Sequence, residues 1–183
     1  MIKVIKTFFN KEIKLIKIKP YKDNRGYFTE TYNKKNYKLE DINENFVQDN
    51  QSLSIHKGTI RGLHFQKKNQ QSKFLYCIEG KILDVVINLK KKSKNFGKVS
   101  KFILNEGDIL YIPKHYAHGY ECLTKRCKIL YHLGKYRDAN NESGIKFDDK
   151  KIKSKWITKK PILSKRDTSL MYFKEFEKKI KTL

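Results

Sequence analysis

The sequence predicts an all-β fold, a sandwich or a small barrel. Three observations carry this. Apolar residues recur in short runs separated by turn signals about every 8–12 residues. Helical periodicity is confined to two short stretches. The 183 residues are 38% hydrophobic and 13% aromatic with only nine Gly and three Pro, enough for a core and too few breakers for a low-complexity chain.

The elements follow in order. Residues 12–19 (EIKLIKIK) alternate like a half-buried strand. Asp23-Asn24-Arg25-Gly26 is a turn, and Tyr27 to Tyr32 again has strand character. Residues 34–41 read as a short helix. Residues 74–78 (FLYCI) and 82–89 (ILDVVINL) are β-rich runs split by Glu79-Gly80. Residues 99–104 (VSKFIL) lead to the turn Asn105-Glu106-Gly107-Asp108, and the run 109–112 (ILYI) stops at Pro113. Residues 128–133 (KILYHL) give another strand. In the tail, Phe173, Phe176, Ile180 and Leu183 have an amphipathic helical spacing, which predicts a helix packed on the body. With no repeat, linker or boundary in view, residues 1–183 are expected to form a single domain.

Composition excludes several classes. No apolar run approaches the roughly 18 residues that a membrane span needs. Lysines interrupt the N-terminus MIKVIKTFFN, so a signal peptide is not expected. Three cysteines, Cys77, Cys122 and Cys127, without CxxC spacing argue against a disulfide framework or zinc cluster, and for a reducing cytoplasm. The formal charge is +23, from 42 Lys plus Arg against 19 Asp plus Glu. Such an excess first suggests nucleic acid. Only five of these cations are Arg, however, and the lysines are spread over the whole chain. Nucleic-acid readers favour the Arg fork, which binds phosphate and guanine bidentately. Two alanines and abundant Asn and Ile point instead to a compositional bias toward Lys on a solvated surface.

Two segments carry histidines at informative spacing. One is Gly58-Thr-Ile-Arg61-Gly62-Leu63-His64-Phe65-Gln66, and the other runs from Gly107 through Pro113 and His115 to His118-Gly119. Gly-x5-His and Gly-x5-Pro-x4-His resemble the two motifs of the cupin superfamily, small jelly-roll β-barrels. Metal-binding cupins offer two His and a Glu from the first motif and a His from the second. Here Gln66 and Lys73 stand at two of those four positions. An ammonium is a donor only and cannot ligate a cation, so no metal is expected. Imidazole, lysine, arginine and tyrosine together suit proton chemistry near an anion. A neutral imidazole takes a proton, an ammonium stabilises an enolate oxygen, and a phenol returns a proton from the other face.

The finer resemblance, over about residues 10–170, is to the dTDP-4-dehydrorhamnose 3,5-epimerase family, metal-free sugar-nucleotide epimerases. Its carriers are Asp23 to Glu30, Phe46 to Asn50, Arg61 to Gln66, Ile112 to Tyr120, Gly144 to Asp149 and Leu163 to Asp167, in that order. The resemblance implies a nucleotide-linked 4-keto-6-deoxyhexose as substrate and inversion of carbons 3 and 5 through enolates, with no cofactor. It implies His64 as base, Asp167 as the partner that orients it, Lys73 as the enolate stabiliser and Tyr131 as acid. Arg25, Phe28, Glu30, Gln48, Asp49, Asn50, Arg61, His118, Arg137, Glu142 and Arg166 match substrate-binding positions. It further implies a homodimer with an exchanged N-terminal segment, for which residues 12–32 would supply the edge strand.

Departures lie around the nucleotide. Tyr136-Arg137 stands where the family has two tyrosines, the second expected to stack on thymine. Ala139-Asn140 replaces a Pro-Glu, and His132 and Leu133 follow the acid Tyr. A guanidinium plane also stacks, or it selects another base. Three rival readings remain: a single-centre epimerase or ketoisomerase on another nucleotide sugar, a non-catalytic basic barrel that binds nucleic acid, and a metal cupin.

Overall fold

Strands buried on both faces read as continuous apolar runs, and the runs at 74–78 and 82–89 are of this kind. In a computed structural model, which describes residues 2–181, they become β7 (Lys73–Glu79) and β8 (Lys81–Asn88) in two facing sheets. Before them come β1 (Ile2–Phe8), β2 (Ile13–Ile18), β3 (Tyr21–Asp23), β4 (Gly26–Phe28), helix α1 (Lys34–Leu39), β5 (Gln48–Ser54) and β6 (Ile60–Gln66). After them come β9 (Val99–Asn105), β10 (Asp108–Ile112), β11 (Tyr116–Cys122), β12 (Cys127–Leu133), β13 (Glu142–Gly144), α2 (Lys165–Thr168) and α3 (Phe173–Lys181).

One sheet has the order β1-β2-β10-β7-β12-β5, the other β13-β6-β11-β8-β9, and β3-β4 form a separate hairpin. Their inner faces meet in a core of Ile13, Leu75, Cys77, Leu110 and Ile129 against Ile82, Val86, Phe102, Leu104 and Tyr120. The outer face of the first sheet is covered by α1 and its flanks, where Tyr37 packs edge-on against Phe74 with ring centroids 4.7 Å apart. The outer face of the second is covered by α3, where Phe173 and Phe176 meet Leu63, Val85 and Ile87. This two-sided cover explains why alternation is lost in β7 and β8. The three cysteines are buried and free. No helix among the described residues is long and apolar enough to cross a membrane.

The strands expected at 12–19, 74–78, 82–89, 99–104, 109–112 and 128–133 are present, as are both helices. Leu183 lies outside the described residues, and so does the side chain of Ile180. The strand expected over 27–32 is shorter, because only Gly26–Phe28 pairs, with Tyr21–Asp23. Asn33 then caps α1, its side chain accepting from the amides of Lys35 and Asn36. Strands β1, β3, β5, β6, β11 and β13 were not expected. In β5, Gln48, Asn50, Ser52 and Ser54 alternate on one side, so a polar face hides the strand. Within the single chain β2 lies between β1 and β10, Ile16 opposite Ile109, and the β3-β4 hairpin that follows is exposed.

Phe74 is fully buried between α1 and the first sheet. Phe74→Ala is therefore expected to lower the unfolding free energy by about 3–5 kcal/mol in urea titration, and a loss under about 1 kcal/mol would contradict this packing.

Candidate active site

At one end of the barrel the inner faces turn from apolar to polar and enclose a cavity of about 690 Å3. A bulge in β6 helps to build it. His64 pairs with His118 and Arg61 with Tyr120, so β6 spends three steps where β11 spends two. Residues three apart on a regular strand face opposite ways. The extra residue brings both Arg61 and His64 to the cavity. Gly119 allows the close approach, since a Cβ there would sit 2.5 Å from the Arg61 carbonyl oxygen.

His64 Nε2 lies 2.7 Å from Asp167 Oδ1. Asp167 is buried in α2, where its amide donates to the capping Ser164 Oγ (3.1 Å). Burial alone would raise the Asp167 pKa. The hydrogen bonds from His64, the Gly62 amide and Ser164 outweigh it and bring the carboxyl below its ordinary value. An imidazole that donates Nε2–H to this carboxylate keeps its lone pair on Nδ1, free to take a proton.

Lys73 begins β7, buried, and its ammonium is lowered to about 8 by burial, with Asp84 and Glu142 pulling it back up. Asp84 is fully buried, raised well above the carboxylate range by burial and opposed by Lys73. It pairs with His118 Nδ1 at 3.1 Å. Burial and the nearby Lys73 push the His118 pKa far down. Tyr131 hydrogen-bonds Ser52 Oγ at 3.2 Å, and burial raises its phenol well above the ordinary value.

The rim carries an ion triad. Glu142 accepts from Arg137 Nε (2.9 Å) and Nη2 (2.8 Å) and from Arg166 Nη1 (2.7 Å). These two cations outweigh burial and keep Glu142 below its usual pKa. Gln48 accepts from the Arg137 amide (2.8 Å) and donates to Asn50 Oδ1 (2.8 Å). Asp49 is at the cavity edge, but its carboxylate is bound to His132 Nδ1 at 2.6 Å on the outer side.

Of the fifteen expected site residues, His64, Lys73, Tyr131, Asp167, Asp49, Asn50, Arg61, His118, Arg137, Glu142 and Arg166 line this cavity. Gln48 stands behind them through Asn50 and Arg137. Arg25, Phe28 and Glu30 do not line it in the single chain. Arg25 pairs with Asp23, Phe28 is 70% exposed, and Glu30 binds Asn33 and Asn36. Asp84, Ser52 and Tyr120 were missed. A carboxylate inside ILDVVINL was the available signal for Asp84, since an apolar run seldom carries one without a partner. The donors do not suit a metal: both cavity imidazoles are tied to carboxylates, and Lys73 brings a positive charge.

Residues 10–175 match the family model described as dTDP-4-dehydrorhamnose 3,5-epimerase. A Sinorhizobium fredii protein of that name is 36% identical over 162 residues, covering 86% of this chain and 83% of its own. The Bacillus anthracis dTDP-4-dehydrorhamnose 3,5-epimerase, solved with TDP and PPi bound, superposes with a TM-score of 0.90 at 38% identity, covering 94% of this chain and 99% of that one. The Legionella pneumophila dTDP-6-deoxy-D-glucose-3,5-epimerase, solved with dTDP-4-keto-L-rhamnose, gives 0.91 at 30% identity, covering 98% and 97%.

The buried ammonium makes stability depend on pH. Lys73 has a folded value of about 8 against an ordinary 10.5. Between these the unfolded chain binds the proton that the folded chain has released, so this contribution to stability rises with pH. The difference in unfolding free energy between the wild type and Lys73→Met should move in favour of the wild type by about 1–3 kcal/mol across that window. A difference independent of pH would mean that the lysine is hydrated.

Proposed function

The chain belongs to the dTDP-4-dehydrorhamnose 3,5-epimerase family, and from that membership we propose that it is an isomerase. It inverts carbons 3 and 5 of a nucleotide-linked 4-keto-6-deoxyhexose, taking dTDP-4-dehydro-6-deoxy-D-glucose to dTDP-4-dehydro-L-rhamnose. The single observation that carries the roles is the 2.7 Å bond between His64 and Asp167, in a cavity shared with Lys73 and Tyr131.

The ketone at carbon 4 acidifies the hydrogens on both neighbouring carbons. His64 takes one of them on Nδ1, and the imidazolium is stabilised by ionised Asp167. The Lys73 ammonium meets the charge that develops on the oxygen, in a site dry enough for that charge to count. Tyr131 delivers a proton to the opposite face, which inverts the centre. The same four groups serve the second carbon. Oxidation state is unchanged, so the reaction calls for no redox partner.

Arg61 and Arg166 supply the positive charge that a diphosphate needs. Arg137 is held flat by its two bonds to Glu142, which supports a guanidinium plane as the platform for the base. The remaining matched residues, Arg25, Phe28 and Glu30, belong to or follow an exposed hairpin with Tyr21 and Tyr27 open to solvent. We infer a homodimer in which this hairpin reaches the partner's cavity. Three buried free thiols support a reducing cytoplasm.

His64→Asn and Lys73→Ala should each lower the rate of inversion by at least about 10²-fold while the fold is kept, measured by proton NMR of the sugar and by thermal melting. Inversion at wild-type rate in His64→Asn would remove the proposed chemistry. Arg25→Ala, expected to be impaired, should regain activity when refolded together with His64→Asn, because one mixed dimer then holds one intact site. No recovery would place Arg25 outside the partner's site.

A further inference from the structure

Tyr131 does not end at Ser52. The Ser52 hydroxyl is also 3.0 Å from the Tyr120 phenol, which is 3.2 Å from Ser54 Oγ. Ser54 Oγ in turn accepts from Arg61 Nε at 3.1 Å. These groups come from β5, β11 and β12, with the guanidinium on β6. Tyr120 and Ser54 are almost completely buried. Arg61 is fixed by a second bond, from Nη2 to the Leu53 carbonyl oxygen at 2.9 Å.

The far end gives the row a direction. A guanidinium can only donate. Ser54 therefore accepts from Arg61 and has its own hydrogen for Tyr120. Tyr120 then donates to Ser52, and Ser52 donates to Tyr131. The Cys127 thiol also lies against Ser54, but sulfur is the weaker acceptor. With its oxygen accepting from Ser52, Tyr131 has its phenolic hydrogen free for the cavity.

We propose that Ser52, Tyr120 and Ser54 form a polarised hydroxyl relay, anchored by Arg61, that aims the Tyr131 proton at the substrate and stabilises the phenolate left after it is given. The inference rests on the reading of Tyr131 as the acid. In the step, the phenol O–H bond breaks and the enolate electron pair forms the new C–H bond. The negative charge stays on the Tyr131 oxygen, and the abstracted proton on His64, until exchange with solvent resets both groups before the second carbon reacts. Burial, the neighbouring Tyr120 phenol and the Asp84 carboxyl all disfavour that charge, while the hydrogen bond from Ser52 favours it. Hydrogen bonds in a row polarise one another, so the Arg61 charge is felt at Tyr131 through three hydroxyls. Ser52, Tyr120 and Ser54 act through Tyr131 and are positioning residues.

The experiment separates proton removal from inversion. In heavy water, deuterium entry into the sugar reports removal by His64, and NMR of the product reports inversion. Tyr120→Phe and Ser52→Ala should each slow inversion by about tenfold, with deuterium entry within about twofold of wild type. Ser52→Thr, which retains the hydroxyl, should restore inversion. Wild-type inversion in both Tyr120→Phe and Ser52→Ala, or equal loss of exchange and inversion in both, would overturn the relay. Tyr131→Phe tests the underlying reading separately: if it still inverts at wild-type rate, Tyr131 is not the acid and that reading fails first.

Discussion

The bond between His64 and Asp167 joins points 103 residues apart, and much of the second half of the chain is arranged to make it. After β13 the chain runs as a strap along the edge of the five-stranded sheet. Ile145 bridges Met171, and Ile162 bridges Thr59. Buried Glu121 accepts from the amides of Ile157 and Thr158 at 2.7 and 2.9 Å. Ser164 then starts α2 and turns Asp167 inward. Without the strap His64 would be one imidazole on a strand, with neither its tautomer nor its imidazolium favoured. The helical tail closes the outer face of the same sheet, and Asp167 itself is buried.

The same economy governs the interior charges. Lys73, Asp84 and His118 are buried together, and each is costly alone. As a group they are tolerable: Lys73 and Asp84 each draw the other toward its charged form, and His118 Nδ1 lies 3.1 Å from Asp84. The residual cost lies in the lowered Lys73 and the raised Asp84, and it leaves a partly unsatisfied cation facing the cavity. A substrate that develops negative charge on a ketone oxygen offers that cation what the fold withholds. At the rim, Arg137 and Arg166 share Glu142, so two guanidiniums are kept close and oriented although they repel.

The fold was legible where burial is two-sided or where turns are sharp. FLYCI and ILDVVINL announce β7 and β8, and Asp23 to Gly26 announces a hairpin. It was illegible where a strand turns its polar side to the cavity. Gln48, Asn50, Ser52 and Ser54 gave no strand signal because their inward face carries hydrogen-bonding groups instead of a core, and the same property brings Asn50 and Ser52 to the cavity. The motifs around His64, His118 and Asp167 drew attention to residues that share one cavity, but mainly through their order along the chain. Nothing in the spacing shows that Arg61 and His64 share a face, since that depends on a bulge. Arg25, Phe28 and Glu30 mark the opposite limit: their segment matches the family, yet one chain alone does not carry them to its own cavity. The excess of +23 resolves into a few cations at the cavity and a coat of lysines, some of them paired, as Lys17 with Asp108 and Lys90 with Glu12.

If one base, one ammonium and one phenol act in turn on both carbons beside the ketone, incubating the wild-type protein with dTDP-4-dehydro-6-deoxy-D-glucose in heavy water leaves its record in the NMR spectrum of the product. Deuterium at carbons 3 and 5, with both centres inverted, is the predicted result. Label and inversion at one carbon only, or at neither, would contradict it.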